Sequence, residues 1–386
     1  MTLLESPSER DRLHLPMIES LHIAGFKLFR DLTLPKLGRM NLFVGENNTG
    51  KSCLLEAVGL YASRNPIVDV LQTASMRSAE PLRPWEAGGW YEEGIALKHP
   101  VIDLLYRRES ALYLLHCPIV IETTIGDPNS LNVRFQLHDV VVDEEGRRRY
   151  VPTLPDHVSV GTSVLAITVS RGLKQVALIT RQHLPLRLST ADLGMLGDGP
   201  AQMFVHLPAS GFSDEKAASL WDQLIQGPDQ ERVLYWMSLI DSRIQDLDYI
   251  AGRGTSRIPI LKVQGEGRIP LTSMGDGLRR MFHIGLAAAT ASKGILLIDE
   301  FENGLHWRVQ RELWAALARV AQAFEVQIFA TTHSRDCIGG FVSASKESSI
   351  EDAKLYRLER EGDEIYAVDL ALINVEDALE LNGEVR

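Results

Sequence analysis

The stretch at residues 45–58, GENNTGKSCLLEAV, directly follows the apolar run MNLFV at residues 40–44. A continuous apolar run of this length is typical of a buried parallel strand. Apolar residues then recur at helical spacing over residues 52–62, so a helix is expected after the glycines. Strand, glycine-rich turn and helix are the context that a phosphate-binding loop requires. The stretch therefore predicts an α/β fold built around such a loop.

Residues 45–52 fit the phosphate-loop pattern G-x-x-x-x-G-K-[ST] at every fixed position. The glycines let backbone N–H groups face phosphate oxygens, and the positive end of the following helix adds to the attraction. Lys51 would reach the β- and γ-phosphates, and the Ser52 hydroxyl would ligate Mg²⁺. A glycine-rich turn without a ligand is the alternative interpretation. The predicted nucleotide-binding residues of the loop are Gly45, Asn47, Asn48, Thr49, Gly50, Lys51, Ser52 and Cys53.

A second element, GILLIDEFENGLHW, places an apolar run before the adjacent carboxylates Asp299 and Glu300. At the carboxyl end of a buried strand the chain turns, so both side chains can serve one site. Asp299 is the expected Mg²⁺ partner, and Glu300 is the expected general base that polarises a water molecule. The other interpretation is a strand end that faces water. With a phosphate loop upstream, the pair indicates hydrolysis of a nucleotide.

Two further elements carry polar residues suited to such a site. The apolar strand in VQIFATTHS ends at His333, which would hydrogen-bond the γ-phosphate or the attacking water, because parallel strands share one crevice at their carboxyl ends. A structural histidine is the alternative. In LTSMGDGLRRMF, Ser273, Gly275 and Gly277 precede a helix and predict a second anion site. A capped helix start explains this pattern equally well.

The middle of the chain differs from both ends. Strand-like segments follow one another between residues 118 and 207 without helical segments, which predicts an antiparallel sheet. Helical periodicity returns in SDEKAASLWDQLI, with Ser213 as the expected N-cap, and in DQERVLYWMSLIDSRI. We therefore expect a core made from residues 1–65 and 256–386, with an inserted antiparallel-sheet and helical region at residues 66–255.

The composition is that of a globular protein, with 386 residues of which 45% are hydrophobic and 24% charged. No apolar run approaches the length of a membrane span, and three separated cysteines suit a reducing cytoplasm. A formal charge of −11 argues against a surface devoted to nucleic acid. A local basic groove stays possible, because short arginine clusters occur at residues 107–108, 147–149 and 279–280.

Taken in order, these elements resemble the ABC-type ATPase heads of the RecF/SMC/OLD group, many bacterial members of which are known as AAA-family ATPases. The opening IAGFKLFRDLTL is similar to the first strands of that group, GENNTGKS to its Walker A motif and SMGDG to its signature. LLIDEFENGLH resembles the Walker B motif and D-loop, ATTHS the switch histidine, and LNGEVR the usual C-terminus. The resemblance is dense over residues 17–65 and 268–340 and loose between them.

The resemblance implies a P-loop NTPase fold of the ABC-ATPase head type, with a mixed central sheet, an added antiparallel β-sheet and a helical insertion. It implies ATP and Mg²⁺ as bound groups, with Lys51, Glu300 and His333 in catalysis. It also implies a homodimer or a higher even oligomer, in which the signature of one chain binds the γ-phosphate held by another. The weaker candidates are the interface residues Asn303 and Leu305, the phosphate contacts Lys27 and Arg30, and a metal-sensing glutamine, either Gln136 or Gln72.

Departures from the group narrow the expected function. The signature lacks the glutamine of transporter ATPases, the middle region is too short for an SMC coiled-coil arm, and no Toprim nuclease cluster follows His333. We therefore expect an OLD-like head without a Toprim domain, located in the cytoplasm and without a membrane partner. It would be an ATP-driven dimeric switch in DNA metabolism or anti-phage defence that controls a separate effector such as a nuclease. A RecF-like, DNA-binding repair ATPase is the main alternative, and a transporter subunit or a small-molecule kinase fits less well.

Overall fold

The computed structural model describes residues 17–63, 104, 106, 118–124, 127, 129–142, 145–146, 148–152, 163–171, 174–179, 203–224, 229–238, 241–252, 257–347 and 352–375. The strands are β1 Leu21–Phe26, β2 Phe29–Leu34, β3 Met40–Val44, β4 Ile119–Glu122, β5 Leu131–Val142, β6 Arg148–Pro152, β7 Ser163–Arg171, β8 Lys174–Ile179, β9 Phe204–Leu207, β10 Ile244–Ala251, β11 Arg257–Val263, β12 Gly267–Pro270, β13 Ile295–Ile298, β14 Gln327–Thr331, β15 Ala353–Glu361 and β16 Glu364–Asp369. The helices are α1 Lys51–Ala62, α2 Asp214–Leu224, α3 Asp229–Ser238, α4 Asp276–Thr290, α5 Trp307–Ala323 and α6 Arg335–Glu347, with a short 3-10 helix at Leu271–Met274. None of the helices in these ranges is long and apolar enough to cross a membrane.

The central sheet is mixed, as the sequence predicts. Its strand order is β16-β15-β3-β14-β13-β9, and every neighbouring pair is parallel except the β15–β16 hairpin. All residues of β3, β13 and β14 are buried, which explains their nearly continuous apolar sequences. Because these three strands are parallel, the polar residues that follow them meet at one edge of the sheet.

Helices cover both faces of the central sheet. Successive residues of β13 point to opposite faces, so Leu297 packs with α1, whereas Leu296 packs with α4, α5 and α6. Most residues of α1 are buried, because residues of β1, β2, β4 and β5 cover the helix on its other side. The helix α1 therefore lies between two sheets, and its N-terminus begins at the edge where the polar residues meet.

An antiparallel sheet of order β2-β1-β4-β5-β7-β8, with β6 on β5, confirms the sheet predicted for the middle of the chain. Its membership differs from expectation in two respects. β1 and β2, expected in the core, start this sheet, and β4 pairs with β1. β9, expected among the antiparallel strands, pairs in parallel with β13. A strand of four residues carries too little pattern to reveal its partner, so the sequence could not predict this pairing.

A third sheet, β10-β11-β12, packs against α2, α3 and α4 through its own cluster of buried apolar residues. The predicted N-cap of α2 is confirmed, because the Lys216 N–H donates to Ser213 Oγ at 3.2 Å. The helix predicted across DQERVLYWMSLIDSRI ends earlier, at Ser238, and Ile244 begins β10. The closing helix predicted for VEDALELNG lies almost entirely outside the described residues.

Candidate active site

The P-loop, residues 45–52, has backbone conformations that favour glycine. Gly45 and Gly50 have φ values of +142° and +91°, which residues with side chains rarely adopt. Space is also restricted, because a Cβ on Gly45 would lie 2.5 Å from the Leu358 carbonyl oxygen, and one on Gly50 would lie 2.8 Å from the Phe29 ring. Gly50 is the N-cap of α1, so the helix N-terminus opens onto the loop, as an anion-binding site requires.

The Lys51 side chain folds back over the P-loop. Its ammonium donates hydrogen bonds to the carbonyl oxygens of Gly45 and Glu46, each at 2.8 Å. Burial lowers the pKa of Lys51, while nearby carboxylates, chiefly that of Asp299, act in the opposite direction. The ammonium therefore lies between the P-loop and the acidic end of β13.

The two carboxylates after β13 are held in different ways. Asp299 Oδ1 accepts a hydrogen bond from the Ser52 hydroxyl at 3.2 Å and another from the Thr331 hydroxyl at 2.6 Å. The Glu300 N–H donates to Thr331 Oγ1 at 2.9 Å. Glu300 also has a φ of +48°, which is uncommon for a residue with a side chain and marks a strained turn. The structure thus brings the predicted metal ligands Ser52 and Asp299 together, with Glu300 next to them.

His333 follows β14 and has a half-exposed ring. Its backbone N–H donates to Glu302 Oε1 at 3.0 Å, and its Nδ1 lies 3.6 Å from the same oxygen. The second Glu302 oxygen, Oε2, is buried and has no hydrogen-bond partner within the described part of the chain. Sequence patterns do not single out Glu302, because an acidic residue in a turn looks like any solvated carboxylate.

The signature loop, residues 273–277, is largely exposed and packs against the D-loop, residues 301–305, of the same chain. A Cβ on Gly277 would lie 3.1 Å from the Gly304 carbonyl oxygen. Gly275 has a φ of +88°, and no atom of the described chain lies within 4 Å of its Cβ position. Gly275 is therefore needed for its backbone conformation, and the space beside it is open to solvent.

The residues expected at a dimer interface differ in their surroundings. Ser273 and Asn303 are exposed, and Asn303 Nδ2 donates to the Ala209 carbonyl at 2.8 Å. Leu305 is buried in the core cluster that contains α5 and α6. The Leu305 side chain therefore supports the D-loop from inside, because an apolar side chain at this position is removed from water.

Lys27 and Arg30 are both engaged in ion pairs. The almost fully buried Lys27 ammonium pairs with Glu56, which holds the turn between β1 and β2 against α1. Arg30 Nη1 donates to Glu364 Oε1 at 2.7 Å in an exposed position. Neither side chain has a hydrogen bond to the P-loop among the described residues, so their phosphate contacts stay predictions.

Of the two candidates for the metal-sensing glutamine, one lies in the antiparallel sheet and the other lies outside the described residues. Gln136 lies in β5, where it is paired with Ala166 of the antiparallel sheet. Gln72 lies outside the described residues. Because β5 does not neighbour β13, the strand order does not support a metal-binding role for Gln136, and that role stays a prediction.

His206 lies near the acidic residues of the candidate site, and sequence patterns did not predict this. It lies in β9 opposite Leu297 of β13, one residue before the end of each strand. Desolvation lowers the pKa of His206, and the carboxylates of Asp299 and Glu56 act in the opposite direction. The parallel pairing of β9 with β13 is what brings this imidazole near the acidic residues, and no sequence pattern predicted that pairing.

Arg280 is a second residue whose role the sequence did not predict. Its buried guanidinium donates to four carbonyl oxygens, those of Pro208, Ala209, Asp299 and Glu300. Burial lowers the pKa of Arg280 to about 10. Arg280 therefore contributes neither to a solvated face nor to the local basic groove that the arginine pair at residues 279–280 left possible, because it is turned inward to hold backbone carbonyls. The cluster at residues 107–108 and residue 147 lie outside the described residues.

The order of these elements defines the class of protein. The P-loop strand β3 lies beside β14, which leads to His333, and β14 lies beside β13, which leads to Asp299 and Glu300. The helix that follows the signature loop, α4, comes directly before β13 in the chain. This is the fold of a P-loop NTPase of the ABC-ATPase head type, and the chain is a P-loop ATPase.

Comparison with known proteins agrees with this class. A family model described as an AAA ATPase domain matches residues 214–338. An ATP/GTP phosphatase of Helicobacter pylori is 23% identical over 352 residues, covering 83% of this chain and 86% of that protein. An uncharacterized protein of Methanocaldococcus jannaschii is 32% identical over 96 residues, which is 25% of this chain and 39% of that protein.

Solved structures with a related shape include two SMC heads. One is an SMC head bound to the C-terminal winged-helix domain of ScpA, with a TM-score of 0.49, 11% identity, and coverage of 92% of this chain and 98% of that one. The other is the SMC head domain from Thermotoga maritima, with a TM-score of 0.40, 11% identity and the same coverage. The strand order and P-loop geometry described above define the fold independently of these two structures.

Proposed function

We propose that the chain hydrolyses ATP as a dimeric switch, in which the signature loop of one copy completes the nucleotide site of another. The observation that carries the proposal is the exposed signature loop, which packs on its own D-loop and has no hydrogen bond to its own P-loop within the described residues. Exposed glycines at a helix N-terminus are suited to binding anions. A second copy is the partner that would bring this loop to a γ-phosphate.

The residues around the P-loop support a division of roles in hydrolysis. Lys51 would neutralise the charge that develops on the β- and γ-phosphates. Glu300 would accept a proton from the attacking water, and His333 would hydrogen-bond the γ-phosphate or that water. The three side chains come from the ends of neighbouring elements at one edge of the central sheet.

The donor set at the end of β13 fits Mg²⁺. The Ser52 hydroxyl and the Asp299 carboxylate already lie within hydrogen-bond distance, and oxygen atoms are the ligands that Mg²⁺ prefers. When bound, the Mg²⁺ ion would neutralise negative charge on the phosphates. The Thr331 hydroxyl would keep the Asp299 carboxylate oriented for this role by donating to Oδ1.

The similarity to the Helicobacter pylori ATP/GTP phosphatase supports nucleoside triphosphate hydrolysis by this chain. We further propose that the switch acts in DNA metabolism or anti-phage defence and controls a separate effector protein, such as a nuclease. The formal charge of −11 favours protein partners over non-specific nucleic-acid binding. Preferential binding of the triphosphate to the closed dimer would drive closure, and hydrolysis would release it.

Glu300→Gln tests the proposal, because glutamine keeps the shape of the side chain but cannot accept the proton. We expect kcat to fall by about 10² to 10⁴-fold, the usual contribution of a general base. The ATP-bound dimer should then accumulate. ADP release measures the first effect and light scattering with and without ATP measures the second. An ATP-bound monomer with wild-type turnover would contradict the proposal.

A second variant addresses the interface itself. Ser273→Arg places a bulky cation in the exposed signature loop and should abolish the ATP-dependent dimer while leaving ATP binding at the P-loop intact. Thr33→Arg, an equally exposed position on β2, is the matched control for added size and charge. If both variants dimerise equally well with ATP, the signature loop is not part of the interface.

A further inference from the structure

The β15–β16 hairpin flanks the P-loop on the side opposite the acidic end of β13. In the central sheet β3 lies between β15 and β14, and β13 lies beyond β14. β15 runs parallel to β3, with Arg357 opposite Val44, the last residue of β3. Since β15 continues to Glu361, its final residues extend beyond the end of β3 and pass beside the P-loop.

Close contacts join this hairpin to the P-loop. The Leu358 carbonyl oxygen occupies the space that a Cβ on Gly45 would need, at 2.5 Å. Ile365 Cδ1 would lie 3.7 Å from a Cβ on Gly50. Arg360 Nη2 donates to the carbonyl oxygen of Asn48, inside the loop, at 3.0 Å. The hairpin therefore contacts the loop near its first glycine, in its middle and at its last glycine.

Arg360 lies on the face of the sheet that carries α1. Side chains alternate along β15, so Arg360 shares a face with Tyr356 and Leu358, which pack in the same cluster as α1. The Arg360 side chain is exposed, and its other donors have no hydrogen-bond partner in the described part of the chain. Arg357 lies on the opposite face and pairs with Glu359.

The two ends of a bound triphosphate can be assigned from these positions. Ser52 and Asp299, which would hold Mg²⁺ beside the γ-phosphate, lie on the β14–β13 side of β3. A nucleotide held by the P-loop would therefore direct its nucleoside away from β13, toward β15. Arg360 is the exposed cation of β15 that touches the P-loop on that side.

We propose that Arg360 binds the nucleoside half of the nucleotide, its base and ribose, while its hydrogen bond to Asn48 fixes the guanidinium beside the loop. A planar guanidinium stacks on flat ring faces and keeps further N–H donors for ring nitrogens of the base or hydroxyl oxygens of the ribose. The Arg30–Glu364 ion pair joins β2 to the start of β16 and so holds the hairpin in place. This inference rests on the proposed function, because it requires that the chain binds a nucleotide.

Arg360→Gln tests the inference by calorimetry with two probes in the presence of Mg²⁺, ADP and inorganic tripolyphosphate. The Kd for ADP should rise about tenfold, as expected for loss of one charged contact. The Kd for tripolyphosphate should stay unchanged, because that ion has phosphates but no nucleoside. Arg357→Gln, a neighbouring arginine of the same strand on the opposite face, should change neither constant.

Two results would overturn the inference while leaving the proposed function in place. The first is an equal loss of affinity for both probes in Arg360→Gln, which would mean that Arg360 only braces the loop. The second is unchanged ADP binding in that variant. Failure of the wild-type protein to bind or hydrolyse ATP would be a different result, because it rejects the proposed function and this inference together.

Discussion

At the scale of single residues, Glu302 connects the D-loop to the histidine after β14. One carboxylate oxygen accepts the His333 N–H at 3.0 Å and lies 3.6 Å from the imidazole Nδ1. The side chain is mostly buried, and its second oxygen lacks a hydrogen-bond partner in the described residues. A buried carboxylate without full hydrogen bonding is costly, so its contact with His333 favours a positioning role for Glu302.

Glu302→Ala should lower kcat about tenfold or more with little change in KM, because a small misplacement of His333 affects the chemical step and not ATP binding. Glu302→Gln should recover part of the loss, since an amide oxygen can still accept the His333 N–H. Steady-state ATPase kinetics of the two variants measure this difference. Equal kcat for Ala, Gln and wild type would show that Glu302 does not position the histidine.

At the scale of secondary structure elements, α4 is joined to the Walker B end through Arg280. The guanidinium donates to the carbonyls of Asp299 and Glu300 and to those of Pro208 and Ala209 after β9. Three of these carbonyls also accept a second hydrogen bond, that of Pro208 from the Gly211 N–H, that of Ala209 from Asn303 Nδ2 and that of Glu300 from the Asn303 N–H. For the Asp299 carbonyl, Arg280 is the donor found within the described residues. One side chain of α4 thereby holds the backbone of Asp299 and Glu300 together with the backbone that follows β9.

Arg280→Met should lower the free energy of unfolding by about 3 kcal/mol, because it keeps the apolar stem but removes the hydrogen bonds that a charged donor makes to four carbonyls. Arg280→Lys should be intermediate, since an ammonium cannot reach four carbonyls in a fork. Arg279→Met, at the adjacent and partly exposed position, is the control and should cost less than about 0.5 kcal/mol. Urea unfolding followed by circular dichroism compares them, and equal losses at 279 and 280 would contradict the assignment.

At the scale of the whole molecule, α1 links the two sheets, because one end of the helix contacts the central sheet and the other end contacts the antiparallel sheet. Its N-terminus meets the central sheet at the P-loop, and its last carbonyls, those of Leu60 and Tyr61, accept hydrogen bonds from the buried Arg171 of β7 at 3.2 and 2.7 Å. The Tyr61 hydroxyl donates to Asp127 Oδ2 at 2.8 Å, and burial raises the pKa of Tyr61 to about 12. The antiparallel sheet therefore supplies the C-terminal cap that α1 lacks in its own sequence.

The central sheet could be predicted because its signals are local. Each of β3, β13 and β14 is a short apolar run followed at once by the predicted site residues, so the strand and the candidate site are predicted from the same few positions. The N-cap at Ser213 is local as well, since the hydroxyl and its N–H partner are three residues apart.

The remaining features depend on contacts between distant parts of the chain. The pairing of β9 with β13 brings residues 204–207 and 295–298 together, and no short pattern encodes such a pairing. The partner of Lys27 lies 29 residues along the chain, and the partners of Arg280 are backbone carbonyls, so these cations look like surface charges in the sequence. Burial of a charged side chain is a property of the folded molecule, and a single sequence does not reveal it.

Arg171→Met tests whether the antiparallel sheet caps α1. The variant leaves the carbonyls of Leu60 and Tyr61 without their donor and should lower the free energy of unfolding by about 2 kcal/mol. Arg134→Met, at an exposed position on the neighbouring strand β5, should change it by less than about 0.5 kcal/mol. Urea unfolding measures both effects, and equal losses in the two variants would refute the capping role.

Nucleotide affinity provides the second half of this test. The P-loop lies at the opposite end of α1, about 18 Å away for a helix of twelve residues, so the affinity of the folded Arg171→Met protein for ADP should equal that of the wild type. A stability loss without an affinity loss would show that the antiparallel sheet supports the ATPase core mechanically. An affinity loss of tenfold or more would instead mean that removing the Arg171 contact alters the P-loop through α1. The two sheets would then act as one coupled unit.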